Sequence, residues 1–154
     1  MSKIEQKLKS LGINIPAAVA PVANYIGFVK SGQQIFISGQ LPIENGEIKY
    51  IGRVGSQVSA EDAKKAAKIC ALNLISQLKS ACNGDLDRVT RCIKLGVFIN
   101  ADADFTGHPA IANGASDLMV EIFGEAGKHA RAAVGSGSLP LGVAVEIDAI
   151  FEVD

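Results

Sequence analysis

The last stretch of the chain, HARAAVGSGSLPLGVAVEIDAIFEVD from His129 to Asp154, decides how the sequence is interpreted. From Val143 to Val153, apolar residues alternate with acidic ones such as Glu146, a pattern typical of a strand with one buried face. Ahead of this strand stands Arg131, one of only four arginines, and the small residues after it carry no charge. Arg131 is therefore either an ordinary surface residue or a guanidinium available to a ligand.

The rest of the sequence predicts further strands and helices. Apolar residues at helical spacing indicate helices over residues 2–10, from the Ser59 cap onward, and over about 110–123. Strands are predicted over residues 25–30, 34–38 and 90–100. This order predicts an α+β fold in which two main helices cover one face of a sheet. The other face would carry Phe36, Phe98 and Ile150, and an exposed apolar face of this kind favours self-association.

Length and charge limit the classes of function. The 154 residues are most simply one domain, residues 1–154, with residues 1–15 as an N-terminal helical extension. A net charge of -1 disfavours nucleic acid as a partner. The N-terminus lacks the apolar run of a signal peptide, and no stretch is long and apolar enough to span a bilayer. We therefore expect a cytoplasmic protein without a membrane partner.

Cysteine and histidine positions argue against a metal site. Cys70, Cys82 and Cys92 are odd in number and none is spaced as C-x-x-C, so we expect buried thiols in a reducing compartment. His108 and His129 do not have the spacing of a ligand pair, and both are predicted to lie on the solvated surface.

Arg131 and Glu146 are the residues most suited to chemistry. A guanidinium is always charged, and its planar fork matches a carboxylate in two parallel hydrogen bonds. The small residues after Arg131 leave room for a small ligand. Glu146 lies fifteen residues further on, and a turn at Leu139-Pro140 could bring it to the same cleft. The alternative is a surface arginine and a solvent-facing strand glutamate.

Two motifs resemble those of the Rid family, the YjgF-type reactive intermediate deaminases. The C-terminal motif is Arg131-Ala-Ala-Val134, then Leu139-Pro140, then Val145-Glu146-Ile147-Asp148-Ala149-Ile150. The N-terminal motif is Ile37-Ser-Gly-Gln-Leu-Pro42, with Tyr25 at the family's distance before the serine. The resemblance runs from about Pro16 to the C-terminus and so covers nearly the whole chain.

The resemblance implies a fold, an assembly and an activity. The family fold is similar to that of chorismate mutase, a two-layer sandwich with a mainly antiparallel sheet and two helices on one face. Three chains pack as a homotrimer, with a small-molecule site in each cleft between subunits. Deaminase members hydrolyse 2-imino acids, such as 2-iminopropanoate and 2-iminobutanoate, to 2-keto acids and ammonia. No cofactor or metal is implied, because orientation and electrostatic stabilisation suffice for this hydrolysis.

The resemblance also assigns roles to residues. Arg131 would bind the substrate carboxylate, and Glu146 would position or activate the attacking water. Substrate-binding positions would be Tyr25, Ser38, Gly39, Asn113 and Ala133. Tyr25 would come from a neighbouring subunit, and Asn113 aligns across an insertion at residues 107–110. Ala133 stands where deaminase members commonly carry a cysteine, so only its backbone carbonyl could hold a water.

Three functions from different classes follow. The first is a cofactor-independent hydrolytic deaminase of small reactive 2-imino acids. The second is a non-catalytic or regulatory module that binds a small carboxylate-bearing metabolite through Arg131. The third is an endoribonuclease or translation inhibitor, a name attached to some family members. Near-zero charge, few aromatic residues and the lack of a histidine pair disfavour the third.

Overall fold

A computed structural model describes residues 1–21 and 23–154. The helices in this part of the chain are α1 (Lys3–Leu11), α2 (Ala60–Ala81) and α3 (His108–Phe123). The strands are β1 (Phe28–Ser31), β2 (Gln34–Gln40), β3 (Ile43–Glu44), β4 (Glu47–Ile48), β5 (Val89–Asn100), β6 (Ala130–Ser136) and β7 (Val145–Val153). Short 3-10 turns cover Leu86–Arg88, Gly124–Gly127 and Pro140–Gly142.

Five strands form one sheet in the order β1-β2-β7-β5-β6. Strands β5 and β6 run parallel, whereas the other neighbouring strands are antiparallel. The two short strands β3 and β4 form a separate hairpin around Asn45 and Gly46, which both have positive φ. The strand β6 forms one edge of the five-stranded sheet.

The helix α2 packs against one face of the sheet as its sequence predicts. The Ser59 hydroxyl accepts a hydrogen bond of 3.1 Å from the backbone N–H of Asp62, which caps the start of the helix. Its apolar stripe is fully buried at Ala66, Cys70 and Leu74. Helix α3 lies beside it, and a Cβ added to Gly114 would collide with the backbone carbonyl of Lys64. The two helices therefore approach closely at this glycine.

The N-terminal helix α1 is fixed to the rest of the chain. The Asp87 carboxylate accepts hydrogen bonds of 2.9 and 2.8 Å from the backbone N–H groups of Lys3 and Ile4. These bonds lower the pKa of Asp87, because they favour its ionised form. An acidic group at a helix N-terminus also suits the helix dipole. None of the helices in the described part of the chain is long and apolar enough to cross a bilayer.

The sheet face opposite the helices carries apolar side chains, as predicted. Phe36 on β2 is 41% exposed and pairs with Ile150 on β7, and Phe98 on β5 lies on the same face. The apolar residues on the opposite face of β2, β5 and β7 are buried under α2 and α3. The result is an α+β fold with helices on one face and a partly apolar sheet surface on the other.

The structure corrects three sequence expectations. The strand β6 was not predicted, because its alanines, glycine and serine have little strand propensity and its structure comes from pairing with β5. Helix α3 begins at His108 instead of about residue 110, with Pro109 at its first turn. Strand β1 begins at Phe28, so Tyr25 lies in the bend that precedes it.

Candidate functional site

Arg131 lies near the start of the edge strand β6, beside helix α3. It pairs with Leu95 of β5, whose side chain is buried under the helices, so Arg131 shares that face. Its Nη1 donates hydrogen bonds to Asn113 Oδ1 at 2.8 Å and to Ser116 Oγ at 3.1 Å. Asn113 and Ser116 are three residues apart on α3 and therefore lie on one side of the helix. The structure thus brings together two of the predicted site residues, Arg131 and Asn113.

The remaining donors of Arg131 are available to a ligand. Both protons of Nη1 are used by α3, which leaves Nε–H and the two protons of Nη2 without a partner among the described residues. Within residues 1–21 and 23–154 the guanidinium forms no ion pair, and the residue is exposed. Neutral acceptors hold its orientation and leave its charge unneutralised. The Nε–Nη2 edge can accept a carboxylate in two parallel hydrogen bonds.

His129 and Ser116 complete this cluster, although sequence analysis did not include either. The hydroxyl of Ser116 lies 2.8 Å from His129 Nε2, and His129 Nδ1 lies 2.6 Å from the carbonyl oxygen of Gly127. His129 is half-buried and both ring nitrogens are bonded, so the predicted solvated surface position was wrong. The helical spacing of Ser116 after Asn113 was the signal that could have identified the serine.

A second cluster gathers around Glu146 on β7. A Cβ added to Gly39 would lie 2.7 Å from Glu146 Oε1, so the absence of a side chain at Gly39 leaves room for this carboxylate. The neighbouring Ser38 hydroxyl donates to the carbonyl oxygen of Ile26 at 2.7 Å, which fixes the bend that carries Tyr25. Tyr25 is 56% exposed. Three predicted site residues, Ser38, Gly39 and Glu146, therefore belong to this cluster, while Tyr25 is linked to it only through the backbone next to Ile26.

The environment of Glu146 favours its protonated form. Burial raises the pKa of Glu146, and the negative charge of Asp148 raises it further. Burial also raises the pKa of Asp148 itself, against the opposing effect of Lys94. A carboxylate with a raised pKa is a stronger base once it is ionised, which suits a group that activates water.

The two clusters lie on opposite faces of the sheet within one chain. Arg131 pairs with buried Leu95, whereas Glu146 pairs with Phe98 on the uncovered face. The expectation that a turn at Leu139-Pro140 brings Glu146 to the same cleft as Arg131 is therefore wrong within a single chain. The reason is register, because the two residues occupy positions of opposite facing on their strands.

A family model described as "YjgF/chorismate_mutase-like, putative endoribonuclease" matches residues 5–151. The chain belongs to the YjgF family. Its two-layer α+β fold with an open sheet face is the chorismate-mutase-like fold of that family, which confirms the predicted fold class. The confirmed membership also accounts for the Arg131 and Ser38 motifs recognised in the sequence.

Individual relatives support membership of the YjgF family along nearly the whole chain. Protein TCP17 of Trypanosoma cruzi is 46% identical over 153 residues, which cover 99% of this chain and 95% of that protein. A crystal structure of the protein Atu1372 of unknown function, from Agrobacterium tumefaciens, is 47% identical with a TM-score of 0.92, over 98% of this chain and 92% of that one. The crystal structure of RidA from an Antarctic Psychrobacter is 29% identical with a TM-score of 0.57, over 88% and 94%.

The YjgF-type chain also has a larger cleft, at the other end of β6. This cleft of about 430 Å³ is lined by Arg53, His108 and Gly137, among others. Here the guanidinium is already engaged: Arg53 Nη1 donates to the carbonyl oxygen of Gly137 at 2.8 Å, and its Nε lies 3.7 Å from Asp102 Oδ1. The charge of Arg53 is therefore paired with that of Asp102. This cleft attracts the carboxylate of a small acid less strongly than the Arg131 cluster does.

The cysteines do not contribute to either cluster. Cys70, Cys82 and Cys92 are buried, as predicted, and burial raises the pKa of each thiol, to about 12 for Cys92. Ala133 lies on the same strand face as Arg131, so this edge strand offers only backbone groups at the position where deaminase members commonly place a cysteine. Among the described residues no group of histidine, cysteine and acidic side chains could hold a metal ion.

Proposed function

We propose that this YjgF-family protein is a cofactor-independent hydrolase that converts small 2-imino acids to 2-keto acids and ammonia. The observation that carries the proposal is the Arg131 guanidinium, which neutral acceptors hold in place while its charge and one bidentate edge stay free. A fixed fork with an unpaired charge suits the carboxylate of a small acid. Membership of a family with a RidA neighbour supports the reaction class.

The active site is proposed to form between subunits of a homotrimer. Within one chain Arg131 and Glu146 face opposite sides of the sheet, so they act on one substrate only if they come from neighbouring chains. Self-association through the uncovered sheet face would also bury Phe36 and its apolar neighbours. A closed ring of three chains satisfies both requirements at each of its interfaces.

The reaction follows from these placements. Arg131 binds the substrate carboxylate, while Glu146 of the neighbouring chain accepts a proton from a water as its oxygen attacks the imine carbon. A C–O bond forms as the C=N double bond becomes single, and the nitrogen takes up the proton that Glu146 accepted. The new hydroxyl then passes its proton through Glu146 to the nitrogen, the C–N bond breaks, ammonia leaves, and the carbon becomes the keto group. Asn113 orients the guanidinium, and Tyr25, Ser38 and Gly39 line the Glu146 side of the cleft.

Ammonia release tests this proposal directly. A 2-imino acid generated in place by an amino-acid oxidase should release ammonia faster in the presence of the protein, without added metal or cofactor. The rate should fall to the uncatalysed background in R131A and remain near the wild-type rate in R53K, because Arg53 lies at the separate cleft. Equal rates for R131A and the wild type would contradict the proposal.

A binding module without turnover is the second candidate, because Ala133 replaces the thiol common among deaminase members. This candidate would be preferred if 2-oxobutanoate bound to the wild type but not to R131A, while no 2-imino acid was hydrolysed faster than background. Binding of the keto acid raises the melting temperature of the protein in either case, so turnover is the measurement that separates the two.

Ribonuclease activity, which the family description names, has less support in this chain. Both ring nitrogens of His129 are bonded to Ser116 and Gly127, and His108 lies at the other cleft. They are the only two histidines, so no pair of imidazoles is placed for acid–base cleavage of RNA. Cleavage that survives thorough purification and disappears in R131A would favour ribonuclease activity instead.

The domain organisation and location are also proposed from these features. We propose that residues 1–154 form one folding unit, because hydrogen bonds from Lys3 and Ile4 to Asp87 attach the N-terminal extension to the body of the chain. A cytoplasmic location is supported by the three buried free cysteines, which suit a reducing compartment.

A further inference from the structure

We propose that Ser116 and His129 are positioning residues that set the orientation of the Arg131 fork. This inference rests on the proposed function, since it concerns the same carboxylate site. The four groups form a chain of hydrogen bonds from Arg131 Nη1 to Ser116 Oγ, from Ser116 Oγ to His129 Nε2, and from His129 Nδ1 to the carbonyl oxygen of Gly127. This series of hydrogen bonds begins at Arg131 on β6 and ends at the backbone of Gly127.

The direction of each hydrogen bond follows from its end points. The Gly127 carbonyl oxygen only accepts, so His129 Nδ1 must carry a proton, and in the neutral ring Nε2 is then an acceptor. The single hydroxyl proton of Ser116 therefore goes to His129. The serine oxygen then presents only lone pairs towards the Arg131 guanidinium, which only donates. Every donor in the chain thus meets one acceptor, and Ser116 has no alternative orientation of equal energy.

This arrangement affects the substrate-binding edge of Arg131. Asn113 and Ser116 together occupy both protons of Nη1, so the guanidinium is held by two bonds and cannot rotate about its long side chain without breaking them. The fixed group presents Nε and Nη2 outward. Ordering the fork before the acid arrives lowers the entropy lost on binding. The effect should appear in KM and in the affinity for acids, while kcat depends on Glu146.

The same atoms also resemble a serine–histidine nucleophile pair, but the arginine argues against that role. A nucleophilic hydroxyl needs a free lone pair directed at the substrate. One of the two lone pairs of Ser116 Oγ instead accepts the hydrogen bond of 3.1 Å from Arg131, so the lone pair that faces the arginine cannot attack a substrate bound there. Covalent labelling of Ser116 by a fluorophosphonate would therefore contradict the positioning role.

A matched pair of variants at His129 tests the inference. In H129Q, the amide oxygen can stand where Nε2 stands and accept the Ser116 proton. In H129N, the shorter amide can still donate to Gly127 but does not reach Ser116. We expect KM for the imine and Kd for 2-oxobutanoate to rise roughly fivefold to tenfold in H129N and less than about twofold in H129Q, with kcat little changed in both.

The variant S116A provides a test that does not depend on folding of the histidine variants. Alanine is a good helix former, so α3 should be retained. S116A should raise KM and Kd by about the same factor as H129N, and the double variant should add little because both changes break one chain of bonds. Additive effects in the double variant, or a loss confined to kcat, would overturn the inference.

Guanidinium NMR separates failure of this inference from failure of the proposed function. In wild-type protein without substrate, the Arg131 Nη protons should give separate signals because rotation about the Cζ–Nη bonds is hindered. The signals should remain separate in H129Q and average in H129N and S116A. Averaged signals in the wild type would refute the positioning role even if the enzyme hydrolyses imines. Separate signals in a protein that hydrolyses no imine would refute only the deaminase activity.

Discussion

The two ends of the edge strand β6 each place an arginine at a cleft, but only one arginine keeps its charge free. At the far end Arg53 is bound to Asp102 and to the Gly137 carbonyl in a cleft of about 430 Å³. At the near end Arg131 is bound only to uncharged Asn113 and Ser116, in a smaller cleft of about 240 Å³. The proposed carboxylate site therefore rests on the unpaired, oriented charge of Arg131 and not on cavity volume.

The largest predicted effect contrasts these two arginines. R131A should lower kcat/KM for 2-imino acids about 10³-fold, because it removes a charge-assisted bidentate contact with the carboxylate. R131K should retain part of the activity, since it keeps the charge but loses the fork. R53K should stay within about twofold of the wild type. Steady-state kinetics of the three variants measures kcat/KM. A larger loss of kcat/KM in R53K than in R131K would contradict the assignment of the substrate site to Arg131.

The next effect concerns the cluster on the uncovered face. E146Q should lower kcat about 10²-fold while KM changes little, because the amide keeps the shape of the side chain but cannot accept a proton from water. In R131K the same measurements should show the opposite pattern, with a larger rise in KM than fall in kcat. An E146Q enzyme with unchanged kcat would remove Glu146 from the proposed reaction.

A smaller effect is expected at Gly39. The added Cβ of G39A would lie 2.7 Å from Glu146 Oε1 and 3.0 Å from its Cδ, so the carboxylate must move. Since the displaced group is the end of a side chain, the fold should be kept and kcat should fall about tenfold. G137A is the matched control, because a Cβ there meets nothing within 4 Å. Equal kcat values in the two variants would contradict the placement of Glu146.

The smallest effect is a change in how stability depends on pH. Burial and Asp148 raise the pKa of Glu146 above its ordinary value of 4.5. The folded protein therefore binds this proton more tightly than the unfolded chain, and stability from this group falls as pH rises through the raised pKa. E146Q removes that loss, so its melting temperature should exceed that of the wild type at neutral pH and converge with it in acid. A difference in melting temperature that stays constant with pH would show that the pKa of Glu146 is not raised by folding.

Sequence reasoning predicted the fold well where one pattern dominates. The Ser59 cap and the apolar stripe gave α2, and strict alternation gave β7. The strand β6 was missed because alanine and glycine carry no strand pattern of their own, and only the pairing with β5 makes it a strand. Arg131 and Asn113 were predicted and lie together, whereas the hydrogen-bond chain through Ser116 depends on packing between α3 and β6.

The separation of Arg131 from Glu146 lay beyond sequence reasoning for a different reason. Their fifteen-residue spacing is compatible with a cleft formed within one chain and equally with a cleft formed between two chains. Facing is set by strand register, and a shift of one residue reverses it. Only the pairing of Arg131 with Leu95 and of Glu146 with Phe98 places the two side chains on opposite faces.

Subunit mixing tests the shared site most directly. R131A and E146Q, each nearly inactive, are unfolded together at equal amounts, reassembled, and assayed for ammonia release from a 2-imino acid. If Arg131 of one chain works with Glu146 of the next, random trimers should regain about one quarter of the wild-type activity, because that fraction of interfaces pairs an intact arginine with an intact glutamate. No recovery in correctly reassembled trimers would contradict a site shared between chains.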